Sequence, residues 1–168
     1  VFDTWSESRH DLLRILKVLE DEDWKNNSVL NDIRKIMDDV VTFLYDKGYC
    51  SVEPNGSNLA QCSRVLCEGY MEKLIPTYVQ RSIHSLVAIT NPGSHRSTTD
   101  SDVAIGNAPY LIRSLIFEML NVLYWCNNII NSNRDKVLAD IEAEKIKYEQ
   151  KKEARNKQNN FQVQNVCH

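Results

Sequence analysis

The sequence predicts an all-α fold: a four- or five-helix bundle with a protruding charged C-terminal helix. Apolar residues recur at steps of three and four, and no segment alternates with the period of two that a half-buried strand requires. Only five glycines and four prolines punctuate 168 residues, which favours a few long elements over many short ones. At 42 % hydrophobic, the chain is long enough to enclose one core. No run of 18 apolar residues occurs and no signal-peptide layout opens the chain, so a cytoplasmic protein without a membrane span is expected. A start at Val1 rather than Met leads us to expect a piece of something longer.

The first helix lies in WSESRHDLLRILKVLEDEDW, where Trp5, Leu12, Leu13, Ile15, Leu16 and Leu19 make an amphipathic pattern. Its acidic cluster, Glu20 to Asp23, reads as a solvated helix end rather than a metal site. Asn26, Asn27 and Ser28 offer N-caps for a second helix. There Leu30, Ile33, Met37, Val40 and Leu44 form a narrow apolar seam, and Gly48 is the C-terminal stop. Pro54-Asn55-Gly56 is a turn, and its flanks do not alternate, which excludes a hairpin.

A third helix over residues 59–70 puts Leu59, Cys62, Leu66 and Tyr70 on one face. Pro76 suits the first turn of a fourth helix, because its missing N–H has no intrahelical partner there. That helix buries Val79, Ile83, Leu86 and Val87 and stops at Pro92. A fifth opens near Pro109 and is apolar nearly all round, from Leu111 to Trp125, so it is expected at the centre. Residues 1–131 therefore form the core. Residues 132–160, rich in Glu and Lys, form an exposed helix expected to pack poorly on its own domain, and 161–168 form a tail.

Five cysteines, an odd count without a C-x-x-C pair, read as free thiols of a reducing compartment, some serving as small core residues. The net charge of −3 is unevenly spread. No Asp or Glu occurs between Glu72 and Asp100, a window that holds Lys73, Arg81, His84, His95 and Arg96. An acid-free window in an acidic chain hints at an anionic partner.

Within that window, AITNPGSHRSTTDSD follows the fourth helix. Arg81, His84, Ala88 and Asn91 step by three, four and three, so they share one helical face. Pro92-Gly93 fits a type II turn that folds Ser94, His95 and Arg96 back toward the helix end. The expected RNA-binding set is Arg81, His84, Asn91, Ser94, His95 and Arg96, with His95 and Arg96 the candidate catalytic pair. Asp100 and Asp102 read as a solvated pair rather than a metal site. No Gly-rich phosphate loop or dinucleotide fingerprint is present, and neither cofactor nor metal is expected.

At this loop the chain resembles the HEPN superfamily of small helical bundles, which includes bacterial abortive-infection proteins. The resemblance covers residues 28–131 and rests on the helix pattern and TNPGSH. It implies a defence-related module in which an arginine, a polar neighbour and a histidine a few residues on make a metal-independent ribonuclease site. His95 matches the histidine and Asn91 the polar residue, while Thr90 stands at the arginine position. Threonine cannot stabilise the phosphorane charge, and losing one preorganised donor costs on the order of 3–4 kcal/mol. Three readings follow. The first is a module of a larger bacterial protein, contacting RNA or a protein partner through the loop and the charged C-terminal helix without efficient catalysis. The second is an endoribonuclease using His95, paired as a homodimer. The third is an oligomerisation domain. Further domains or subunits of a larger assembly are expected partners in each.

Overall fold

The computed structural model describes residues 6–21, 28–90 and 109–166, and every regular element among them is helical. In chain order these are α1 (Ser6–Asp21), α2 (Ser28–Asp46), α3 (Leu59–Leu66), a 3₁₀ turn (Gly69–Lys73), α4 (Thr77–Thr90), α5 (Pro109–Asn128) and α6 (Arg134–Val166). None of these helices is long and apolar enough to cross a membrane.

The hub is α2, which packs against α1, α3, α4 and α5. Its apolar face is wider than a narrow seam, because Ile36 and Val41 are as fully buried as Ile33, Met37, Val40 and Leu44. α2 ends at Gly48 as its sequence predicts. The Tyr49 N–H donates to the Leu44 carbonyl (2.8 Å) and the Gly48 N–H to that of Tyr45 (2.9 Å), a Schellman closure. Gly48 has φ +86°, a left-handed conformation that side chains disfavour. On the other flank, α1 inserts Ile15 and ties to α2 through Arg14, whose Nε and Nη2 donate to the Asp32 carboxylate at 3.1 and 2.9 Å.

Three expectations are corrected by the packing. α3 stops at Leu66 instead of running to residue 70, and a 3₁₀ turn carries Tyr70 away from its face. Pro76 then opens α4, its carbonyl accepting from the N–H groups of Val79 and Gln80. The second correction concerns α5. Ile112, Leu115, Ile116, Met119, Val122 and Cys126 are buried, yet Tyr110, Phe117 and Tyr124 face outward, so the helix is not enclosed on all sides.

The third concerns α6, which is not free of the core over its first four turns. Val137 is buried, Ile141 packs against the core cluster, and the Arg134 guanidinium lies 5.3 Å from the Tyr45 ring centre. Two glycines permit this approach: a Cβ on Gly48 would meet Arg134 and Leu138 at 3.2 Å, and one on Gly69 would meet Tyr148 at 2.8 Å. From Glu149 to Gln158 every side chain is exposed, as the sparse apolar content predicts.

Cys50, Cys62, Cys67 and Cys126 are free thiols. Burial pushes the thiols of Cys62 and Cys126 up to about 12. A raised thiol pKa stabilises the fold fully below the unfolded value and loses that contribution as pH climbs toward 12, because only the unfolded chain sheds the proton. Stability should therefore fall between about pH 9 and pH 12 by up to about 1.4 kcal/mol per pH unit for Cys126. Denaturant titrations across that range check this. Cys126→Ala should reduce the slope, and an unchanged slope would contradict it.

Candidate functional site

α4 presents the structured part of the loop-side site. Its inner face buries Val79, Ile83, Leu86 and Val87, which leaves Arg81 and His84 exposed one turn apart, with Ala88 half-buried beyond them. Asn91, Ser94, His95 and Arg96 lie outside the described residues, as do Asp100 and Asp102.

Thr90 is buried, and its hydroxyl donates to the Leu86 carbonyl at 2.7 Å. Its own carbonyl accepts from Arg34 Nη1 at 3.4 Å, while Arg34 Nη2 donates to the Gly56 carbonyl at 3.0 Å. A cation on the last carbonyls of a helix complements its dipole. Arg34 thus joins the end of α4 to the turn at Gly56. In the sequence it is legible only as a polar residue flanking the α2 seam.

The second constellation lies between the 3₁₀ turn and α6: sequence reasoning offered the charged C-terminal helix as a contact surface but missed the groove that it forms with the turn. An open groove of about 550 Å³ is lined by Tyr70 and Lys73 on one wall and by Lys147, Tyr148, Lys151 and Arg155 on the other, with Lys152 at its edge. Lys147, Lys151 and Arg155 step by four, so they form one row along α6. Lys73 opposes them across the groove. The row itself was readable as helical spacing. Its partner wall was not, because no local pattern says where the 3₁₀ turn will meet α6.

The floor of the groove follows from Gly69. With no side chain there, the Tyr148 ring settles on the backbone and meets Tyr70 edge to face, the centroids 6.4 Å apart at 68°. Burial, with Glu68 and Glu142 nearby, pushes the Tyr70 hydroxyl above its usual range, so it stays a neutral donor at physiological pH. Two acids, Glu72 and Glu144, share the lining with the five cations. Lys147 donates to Glu144 at 2.6 Å and holds that carboxyl below its usual range. The remaining four cations outweigh the single acid left.

Small-molecule sites are mostly enclosed and apolar with a few placed polar groups. This groove is open, cationic and floored by tyrosines, a composition that suits a phosphate backbone with bases available for stacking. Among the described residues, no group of three His, Cys, Asp or Glu side chains is placed to hold a metal ion. The chain matches no family model, and no curated protein or solved structure matches it.

Proposed function

We propose that the chain is a HEPN-like helical module of a larger, defence-related bacterial protein, and that it binds single-stranded RNA along the α6 groove without cleaving it efficiently. The observation that carries this reading is the row Lys147, Lys151 and Arg155 facing Lys73 over the paired tyrosines. Eight residues of helix rise about 12 Å. That length spans three to four stacked nucleotides at about 3.4 Å each. The half-exposed Tyr148 offers a surface for a base, and the cations take the phosphates. The absence of efficient cleavage follows from Thr90, which stands where the family's arginine is expected and turns its hydroxyl inward to Leu86.

Fluorescence anisotropy with a short labelled RNA, repeated over a salt series, tests the reading. Each phosphate contact contributes about 0.7 to the slope of log affinity against log salt for a single strand. Lys151→Glu combined with Arg155→Glu should therefore lower the slope by about 1.4 and weaken binding tenfold or more at moderate salt. Both side chains are exposed, so the fold is expected to survive the change. An unchanged slope would remove the groove from the site. A matched DNA strand bound equally well would overturn the assignment to RNA, and rapid RNA cleavage in EDTA would overturn the non-catalytic reading.

A further inference from the structure

We infer that Cys50 and Cys62 are a redox modification site, which a low-molecular-weight disulfide oxidises to a bridge that locks the end of α2 to α3. This inference stands apart from the RNA reading and shares no residue with the groove.

The two thiols converge on one backbone oxygen. Cys50 Sγ donates to the Val52 carbonyl at 3.3 Å, and Cys62 Sγ lies 3.8 Å from that same oxygen. The thiols also hydrogen-bond to each other. Only the fold makes this pair, because the chain leaves α2 through Cys50 and returns to set Cys62 in the first turn of α3. Side chains whose sulfurs already touch meet the first geometric requirement of a disulfide. Cys67 donates instead to the Gln80 carbonyl at 3.2 Å, and Cys126 is enclosed in the core.

What separates the pair from solvent is the segment 51–58, every residue of which is exposed or half-buried. Side chains hold this cover down. Asn55 and Asn58 each accept from the other's backbone N–H, and Arg34 Nη2 donates to the Gly56 carbonyl. The segment contains no helix or strand, so it can open locally while α2 and α3 stay wound. Burial raises both thiols, Cys62 to about 12, which keeps the pair protonated while the cover is down. Opening hydrates the sulfurs and restores their acidity, so loop motion gates their reactivity.

The exchange then runs in two steps. Cys50, the nearer to the cover, loses its proton and attacks one sulfur of the small disulfide. That S–S bond breaks, a mixed disulfide forms on Cys50, and the departing thiolate takes up the proton. Cys62 next loses its proton and attacks the Cys50 sulfur, forming the bridge and releasing a second small thiol. Two protein thiols give up two electrons and two protons, and the small disulfide is reduced to two thiols. In a reducing compartment such a bridge is transient and follows the thiol–disulfide balance.

Incubating the full native chain with oxidised glutathione, then alkylating and digesting with trypsin, tests this. Residues 48–64 form one tryptic peptide whose two cysteines are Cys50 and Cys62. That peptide should appear unalkylated and lighter by two hydrogens, and dithiothreitol should return it to the dithiol. Cleavage after Glu53 should leave its two parts joined, and Cys126 should remain a thiol. The bridged chain should melt about 5–10 °C above the reduced one, because the closed loop restricts the unfolded chain. Cys50→Ala, with its helicity checked by circular dichroism, should show no shift on oxidation. The wild-type peptide map decides the matter even if that variant fails to fold. Glutathione adducts without a bridge, no reaction in the native chain, or a bridge that leaves melting unchanged would each overturn the inference.

Discussion

Ile83→Ala is expected to lower the unfolding free energy by about 2–5 kcal/mol, whereas His84→Ala, one residue on, should change it by less than about 0.5 kcal/mol. Ile83 is fully buried in the middle of α4, the helix that packs against α2, α3 and α5. Truncating it removes apolar contact and leaves a cavity that three neighbouring helices cannot close together. His84 is exposed, and its loss opens no cavity. Urea titrations of both variants measure the contrast. Comparable losses would mean that α4 is rotated from the orientation described. Because His84 belongs to the candidate RNA-binding set, its variant also reports on binding free of any stability effect.

The second large effect is expected at Gly48. Gly48→Ala should cost about 2–3 kcal/mol, from about 1–2 for a left-handed side-chain residue and the rest from crowding. The crowding has named partners: a Cβ there would stand 3.2 Å from Arg134 Cγ, the Arg134 carbonyl oxygen and Leu138 Cγ. Gly56 makes a direct comparison. It has a similar φ of +70°, but a Cβ on it would meet nothing within 4 Å. Gly56→Ala should therefore cost only the backbone term, about 1–2 kcal/mol, and less than Gly48→Ala. Thermal melts give the difference, and hydrogen exchange should show the first turns of α6 loosened in Gly48→Ala alone. Equal losses at the two glycines would show that α6 does not press on the end of α2.

The candidate sites were legible to different degrees. The stripe of Arg81 and His84 follows from helical spacing, and α4 does turn both side chains to solvent. The other members of that set, from Asn91 to Arg96, lie outside the described residues. The groove was half legible. The α6 row is a spacing of four in the sequence, but Lys73 belongs to a short turn far earlier in the chain. The outer face of α5 was misread because counting apolar residues does not separate the aromatic row from the core residues on either side of it. Tyr110 and Tyr124 have polar tips that tolerate solvent, and only burial by neighbours assigns a ring to one side or the other.

What the sequence determined by itself was local. The repeat of three and four sets helices and their inner faces, and Gly48, Pro76 and Pro109 mark helix boundaries because their backbone chemistry acts within a few residues. Tertiary structure decided where those helices meet. α6 lies against the end of α2 and the 3₁₀ turn because Gly48 and Gly69 have no Cβ to hold it off, and a missing atom matters only once something approaches it. The same approach sets Lys73 opposite Lys147. Periodicity is a property of one segment, whereas a groove or an uncovered face is a relation between segments set by how their side chains pack.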